Sequence, residues 1–241
     1  MGTFSRYTKE GPGVTKEQAN APALIQFFRI LGTRFWSMIA LNLIYLVFCL
    51  PIITFGPATA GMTKVLRNWS RREGAFLWGD FWETFKNNFK HGLIVGLVQL
   101  LVSAVLIFDG LFFYICMANT GLKTIAIAVI ALSLLVWTYM HYYIYTMLIT
   151  FRLSLKQLYK NAFIFAGAGF FRNTLITLIL AALIWIFWIF AVNPIVWIFY
   201  IIFFGAFSGY IIVFITYPLI KRYMIDNVDP KTGERIPTED Q

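Results

Sequence analysis

The chain has 241 residues, of which 59% are hydrophobic and only 13% charged, and its formal net charge is +9. A soluble domain carries about 25% charged residues and cannot bury so much apolar surface, so the composition excludes an ordinary soluble enzyme or binding domain. We therefore predict an integral membrane protein, and we attribute the excess of Lys and Arg to cytoplasmic loops near anionic lipid rather than to a nucleic-acid partner.

The first membrane helix follows a polar tail over residues 1–22, which we expect to be cytoplasmic. Residues 35–63 contain no charge, but the segments on both sides are basic, with five Lys or Arg in residues 1–34 and six in residues 64–90. Cytoplasmic segments hold most Lys and Arg, so a single crossing cannot join these two segments. We predict an outgoing helix over residues 35–50 and a short or re-entrant returning helix after it.

Two prolines and two small residues set the break between these helices and the packing of the second one. Pro51 can end the first helix, and Gly56 with Pro57 can open the second, because Pro is well tolerated in the first turn of a helix. Gly56 and Ala60 are small, which allows close helix packing in a membrane. The returning helix is therefore predicted to pack closely inside the bundle.

The next segment, residues 78–90, is predicted to be an amphipathic helix at the inner leaflet. Its aromatic residues recur at intervals of three and four, so they share one face, and lysines lie near its end. This pattern is typical of a helix that contacts lipid, and a docking surface for a cytoplasmic or membrane partner is the alternative. The candidates are Trp78, Trp82, Phe85, Lys86, Phe89 and Lys90. A second such helix is predicted over residues 153–165.

The remaining apolar sequence predicts four more crossings. Residues 92–119 and 124–151 each suit one span, whereas residues 173–220 run for 48 residues without a charge. As one helix that last run would be ~70 Å long against a hydrocarbon core of ~30 Å, so it must turn back. The turn is predicted at Asn193-Pro194, which gives spans over residues 173–192 and 195–219.

Together these elements predict an all-α bundle of about six membrane-crossing helices, the second short or re-entrant, with two cytoplasmic amphipathic helices. A single transmembrane domain would cover residues 23–220, and residues 221–241 would form a cytoplasmic C-terminal tail. Both termini would then be cytoplasmic.

Asp109 is the one acidic residue within a predicted span, and an intramembrane carboxylate indicates either a proton or cation site or a polar contact between helices. His141 is the one histidine within these spans. It lies ~15 Å deeper along its helix than Asp109, at ~1.5 Å per residue, so we expect no direct pair. Together with Trp137 and four tyrosines between residues 139 and 145, it is typical of an inner aromatic belt.

No catalytic constellation, metal-ligand spacing or cofactor fingerprint is present, so we expect neither enzymatic activity, nor a metal, nor a cofactor. The two cysteines, Cys49 and Cys116, both lie in apolar runs, and we expect no disulfide.

Residues 50–60 (LPIITFGPATA), together with residues 80–82 (DFW) and 85–90 (FKNNFK), resemble the YesL family of bacterial multi-pass membrane proteins. Residues 11–14 and 160–162 fit as well, so the resemblance extends to about residue 220. It implies a place in the bacterial cytoplasmic membrane and, by the family's association with carbohydrate uptake, an accessory role in such a system. It implies no catalytic residue.

Two functions follow as hypotheses. The first is a non-enzymatic accessory or regulatory component of a carbohydrate transport system, which acts through the aromatic-basic helix. The second is an autonomous small transporter or channel with Asp109 in an intramembrane polar site. The expected partners are the lipid bilayer and either a membrane transporter complex or a second copy of the chain.

Overall fold

The computed structural model describes residues 22–118 and 120–226, and all regular structure among them is helical. The chain divides into two units, residues 1–35 and 36–241. The described part of the first unit is the beginning of helix α1, where the Thr33 hydroxyl donates a hydrogen bond to the Arg29 carbonyl at 2.9 Å. The predictions for residues 1–21 and 227–241, including the cytoplasmic location of both termini, lie outside the described residues.

Eight α-helices and one short 3₁₀ helix make up the described chain, and the predicted all-α fold is confirmed. The α-helices are α1 (Ala23–Cys49), α2 (Phe55–Ser70), α3 (Leu77–Asn87), α4 (Phe89–Cys116), α5 (Thr120–Thr150), α6 (Leu155–Ala168), α7 (Phe170–Ile189) and α8 (Pro194–Met224). Five of them, α1, α4, α5, α7 and α8, are long and apolar enough to cross a membrane. The chain is thus a multi-pass membrane protein.

The turn predicted at Asn193-Pro194 separates α7 from α8. Pro194 is the first residue of α8, and the Asn193 side chain caps that helix by accepting a hydrogen bond from the Ile195 N–H at 3.0 Å. A proline at this position costs no backbone hydrogen bond, since the first N–H groups of a helix have no partner within it. The uncharged run therefore forms a hairpin, as its length required.

Helix α2 corresponds to the predicted short returning helix. The chain breaks at Pro51, the 3₁₀ helix Ile52–Thr54 follows, and α2 begins at Phe55. Its 16 residues span ~24 Å at ~1.5 Å each, less than the ~30 Å hydrocarbon core. Twelve of those residues are buried, among them Pro57 and Ala60. Helix α2 therefore lies inside the bundle rather than against lipid.

The first turn of α2 packs against the first two turns of α4. A Cβ on Gly56 would lie 1.9 Å from the Gly92 carbonyl oxygen, and one on Gly96 would lie 2.8 Å from the Gly56 Cα. The two backbones touch because all three residues lack side chains. The break at residues 51–54 hence lies beside the beginning of α4, and whether α2 crosses the membrane or is re-entrant stays a prediction.

The two shorter amphipathic helices, α3 and α6, appear close to their predicted positions. Helix α3 lies along α2, where a Cβ on Gly61 would meet the Phe81 carbonyl at 2.9 Å. Helix α6 packs against α5 through the buried Leu158, Ala162 and Phe165. It starts with a capping box in which Ser154 and Gln157 satisfy each other's backbone N–H groups. Both helices are thus part of the folded bundle.

We call the end of the bundle at which α4 begins and α5 ends the basic end. Four exposed basic residues lie close in the sequence to these two helix ends, namely Lys86, Lys90, Arg152 and Lys156. The hydrophobic core lies towards this end, because the second half of α5 supplies its largest buried group, residues 139–148.

Candidate functional site

Helix α3 carries the six predicted docking residues, and the structure divides them between two faces. Phe85 is only 7% exposed and lies against Phe48 of α1, with ring centroids 5.0 Å apart. Trp78, by contrast, is 55% exposed, and Phe89, Lys86 and Lys90 also reach the surface. Phe85 therefore belongs to the core and cannot form part of a docking surface in this conformation.

Trp82 connects the two faces of α3. Its ring stacks on Trp78 at 5.8 Å and on Phe85 at 5.4 Å, and the Lys86 Nζ lies 5.3 Å from its ring centroid. Stacked aromatic rings and a cation over a ring face each stabilise such an arrangement. The exposed Trp78 is hence held by a continuous stack that reaches the buried core.

The beginning of α3 is tied to α2. The Asp80 carboxylate accepts a hydrogen bond from the Phe76 N–H at 3.1 Å and a longer one from the Asn68 side chain at 3.5 Å. A carboxylate in this position also suits the positive end of the helix dipole. Phe76 itself is 83% exposed, so a second aromatic ring lies uncovered beside Trp78 in the sequence.

Asp109 is half-buried on α4 and makes no hydrogen bond or ion pair with any described residue. The polar residues nearer the basic end of α4 do have partners, since Gln99 accepts from Tyr145 and Ser103 accepts from Trp137. His141 points its Nδ1 at the Trp137 carbonyl at 2.8 Å. The structure therefore does not pair Asp109 with His141, and the hypothesis of an Asp109-based transporter or channel stays a prediction.

A set of buried tyrosines on α5 joins three helices, whereas their spacing in the sequence predicted an interfacial aromatic belt. Each tyrosine is at most 6% exposed and hydrogen-bonds a polar side chain on another helix. The pairs are Tyr139–Thr174 (2.9 Å), Tyr142–Thr177 (2.9 Å), Tyr143–Asn173 (2.7 Å) and Tyr145–Gln99 (2.9 Å). The recurrence of polar residues at 173, 174 and 177 on α7 was the available signal for this network.

Two buried polar atoms beside this network have no hydrogen-bond partner among the described residues, namely His141 Nε2 and Tyr159 Oη. Trp137 contacts both rings, edge-on to His141 at 4.5 Å and stacked on Tyr159 at 6.2 Å. Burial raises the pKa of Tyr159, in helix α6, to about 12, so its hydroxyl stays protonated at neutral pH and can donate.

Arg67 on α2 is a buried cation without an acidic partner in the described chain. It is 6% exposed, and its guanidinium donates to the Thr150 hydroxyl at 2.8 Å and to the Asn68 side chain at 3.4 Å, while Nε has no partner. Burying an unpaired charge is costly, so a buried arginine of this kind indicates either a structural clamp or a nearby anion.

Among the described residues there is no group of three or more His, Cys, Asp or Glu side chains that could hold a metal ion. Cys49 and Cys116 are both free thiols. The geometry offers an exposed aromatic-basic surface on a fixed helix, and it offers hydrogen-bonded polar groups within the bundle.

A family model described as "Protein of unknown function, DUF624" matches residues 38–110 of the chain. The matched segment contains the helix break, α2, α3 and most of α4. Neither the curated proteins nor the solved structures contain a match to this chain.

Proposed function

We propose that the chain is a YesL-type protein of the bacterial cytoplasmic membrane and acts, without catalysis, as an accessory or regulatory component of a carbohydrate transport system. The DUF624 match supports the family, since residues 38–110 include the motifs at 50–60 and 80–90 on which the YesL resemblance rests. The carbohydrate class comes from that resemblance. The basic end faces the cytoplasm in this proposal, because Lys and Arg are retained on that side.

The observation that carries the proposal is the division of α3 into a fixed face and a free face. Phe81 and Phe85 hold the helix against Phe48 and α2, so the position of α3 does not depend on a partner. Trp78 nevertheless remains more than half exposed, and the exposed Lys86 lies over the neighbouring Trp82 ring. Aromatic residues that are prearranged on a rigid element are typical of the anchors of protein interfaces.

The partner best suited to this surface is a membrane-embedded or membrane-associated subunit of a transporter. The surface lies at the basic end, where Lys86 lies over the Trp82 ring and Lys90 is exposed, so acidic groups on the partner would complement these two lysines. A second copy of the chain is the competing occupant, and the experiment below separates the two.

The test is crosslinked co-purification from native membranes, with partners identified by mass spectrometry. We expect the unmodified chain to recover permease or ATPase subunits of a transporter, and the double variant Trp78→Ala/Lys86→Ala to lose them. Neither side chain is buried, so this variant should insert and fold normally, which a size-exclusion profile checks.

A matched control is the double variant Phe171→Ala/Lys160→Ala, which removes an exposed aromatic residue and an exposed lysine elsewhere on the same chain. It should retain the transporter subunits. Recovery of the chain alone or only with itself, or equal loss of partners in both double variants, would contradict the proposal.

A further inference from the structure

An open cavity of about 820 Å³ lies at the basic end, between the α3–α4 junction and the connection from α5 to α6. The polar residues that line it are Asn87, Asn88, His91, Thr150, Arg152 and Ser154. None of the residues that line the cavity is acidic, whereas one is a permanent cation and another is a histidine. The cavity therefore favours an anion over a cation.

Two helices begin at this cavity. Asn88 precedes the first residue of α4, and Ser154 is the N-cap of α6. The N-terminus of a helix carries a positive partial charge and presents backbone N–H groups, and α4 and α6 have 28 and 14 residues. Helices α3 and α5 also end at the cavity, at Asn87 and Thr150, so the helix dipoles oppose one another there and the side chains decide which charge is favoured.

Three of the lining side chains have no partner within the described chain. Asn87, His91 and Arg152 make no hydrogen bond and no ion pair with any described residue. All three can donate hydrogen bonds, and Arg152 can do so with two parallel N–H groups to a phosphate or carboxylate. Donors are therefore available on both walls of the cavity, from α3–α4 on one side and from the α5–α6 connection on the other.

Arg67 provides the independent observation. This buried arginine donates to the Thr150 hydroxyl at 2.8 Å and lies 3.5 Å from the Ile149 carbonyl oxygen, and both residues line the cavity. Its guanidinium thus lies directly behind the cavity wall, with one nitrogen unpartnered and no carboxylate paired with it in the described chain. An anion in the cavity would offset the charge that the fold has buried there.

We propose that this cavity is a binding site for a phosphate group, held by Arg152 and His91 with the side-chain amide of Asn87. A phosphate offers several acceptor oxygens to donors that approach from different sides, which matches the two walls of the cavity. The group can belong to an anionic lipid headgroup at the membrane surface or to a free phosphorylated molecule. Arg152 and His91 lie outside α3, so a variant at either residue tests this proposal independently of the proposed docking.

The experiment measures thermal unfolding of the purified full chain by tryptophan fluorescence in two arms. The first arm adds inorganic phosphate to the protein in neutral detergent, against chloride at equal ionic strength. The second adds phosphatidylglycerol to the micelles, against phosphatidylcholine. We expect the midpoint to rise with phosphate in the first arm, with phosphatidylglycerol in the second, or with both, and the responding arm identifies the source of the phosphate group.

The decisive variant is Arg152→Gln, with Arg172→Gln as the matched control because Arg172 is also exposed but does not line the cavity. Loss of a charge-assisted hydrogen bond should weaken the apparent affinity about tenfold in Arg152→Gln and leave it unchanged in Arg172→Gln. If Arg152→Gln does not fold, His91→Gln takes its place. No midpoint shift in either arm, or an equal loss in the variant and in the control, would overturn the proposal.

Discussion

The region around α2 and the tips of the two long hairpins are built in different ways. Around α2, backbones touch at Gly56 and Gly92, and the buried Arg67 of α2 donates a hydrogen bond to Thr150 of α5. At the α4–α5 and α7–α8 tips, most of the described side chains are apolar and many are exposed, as at Phe108, Ile125 and Trp188. The difference indicates that lipid covers the tips, whereas helix-to-helix contacts shape the region around α2.

Two cavities show the same difference between apolar and polar surroundings. The one between α7 and α8 holds about 110 Å³ and is lined by apolar and aromatic residues, including Phe187 and Trp197. The one at the basic end holds about 820 Å³ and is lined mainly by polar residues. Specific recognition needs polar groups in defined positions, so both proposals for this chain concern the basic end.

The largest effect is expected where backbones touch. In Gly56→Ala the new Cβ would lie 1.9 Å from the Gly92 carbonyl oxygen, and backbone cannot move aside as a flexible side chain can. We expect a loss of about 3 kcal/mol or more, at the upper end of the usual cost of overpacking. Thermal unfolding in detergent measures it.

The control for this variant is Gly167→Ala on α6, where a Cβ would meet no atom within 4 Å. That substitution should stabilise the chain slightly, because Ala is the better helix former. An unfolding midpoint for Gly56→Ala equal to that of Gly167→Ala would show that α2 and α4 do not touch, and the contrast between the two regions would fail.

Much of the architecture could be predicted because the membrane imposes simple rules on a sequence. Uncharged runs located α4, α5, α7 and α8 to within a few residues, and the Asn193-Pro194 turn follows from length alone. Helix α1, however, begins at Ala23 rather than at the predicted residue 35, since Arg29 and Arg34 do not interrupt a helix.

The burial of particular side chains could not be predicted in the same way. Periodicity places Phe85 on one face with Trp78. It does not reveal that Phe48, 37 residues earlier, contacts both rings, and that Phe85 is buried while Trp78 stays more than half exposed. The tyrosines of α5 posed the same problem, because an interfacial belt and a hydrogen-bonded core use the same residue type. Only the partners on α4 and α7 distinguish the two.

A smaller effect is expected at Asn42, which joins α1 to α8. Its amide donates to the carbonyls of Ile201 and Ile202 at 2.8 and 2.7 Å, and its oxygen accepts from the Ala206 N–H at 2.8 Å. Gly205 leaves room for this contact, since a Cβ there would lie 2.4 Å from the Asn42 oxygen. In Asn42→Leu these backbone groups of α8 lose their partner, at a cost of about 2 kcal/mol.

The unfolding midpoint again measures this cost, with Ser133→Ala as the control because the Ser133 hydroxyl is exposed and bonds only to its own helix. A midpoint for Asn42→Leu as high as that of the control would mean that α8 satisfies its own backbone there, so that the asparagine adds nothing.

The smallest effect, at Tyr143, tests whether the buried tyrosines act as a network or merely fill space. Tyr143→Phe keeps the ring and removes only the hydroxyl, which leaves the buried Asn173 oxygen without its donor while the Asn173 amide still bonds to the Ala166 carbonyl. We expect a loss of about 1 kcal/mol, in the range found for single hydrogen bonds between membrane helices.

Tyr114→Phe at the exposed α4–α5 tip should change stability far less. A double-mutant cycle with Asn173→Ala isolates the pair, because a shared hydrogen bond makes the two losses non-additive. Additive losses would mean that the tyrosine acts through packing alone, and the basic end would then differ from the tips in burial but not in polar specificity.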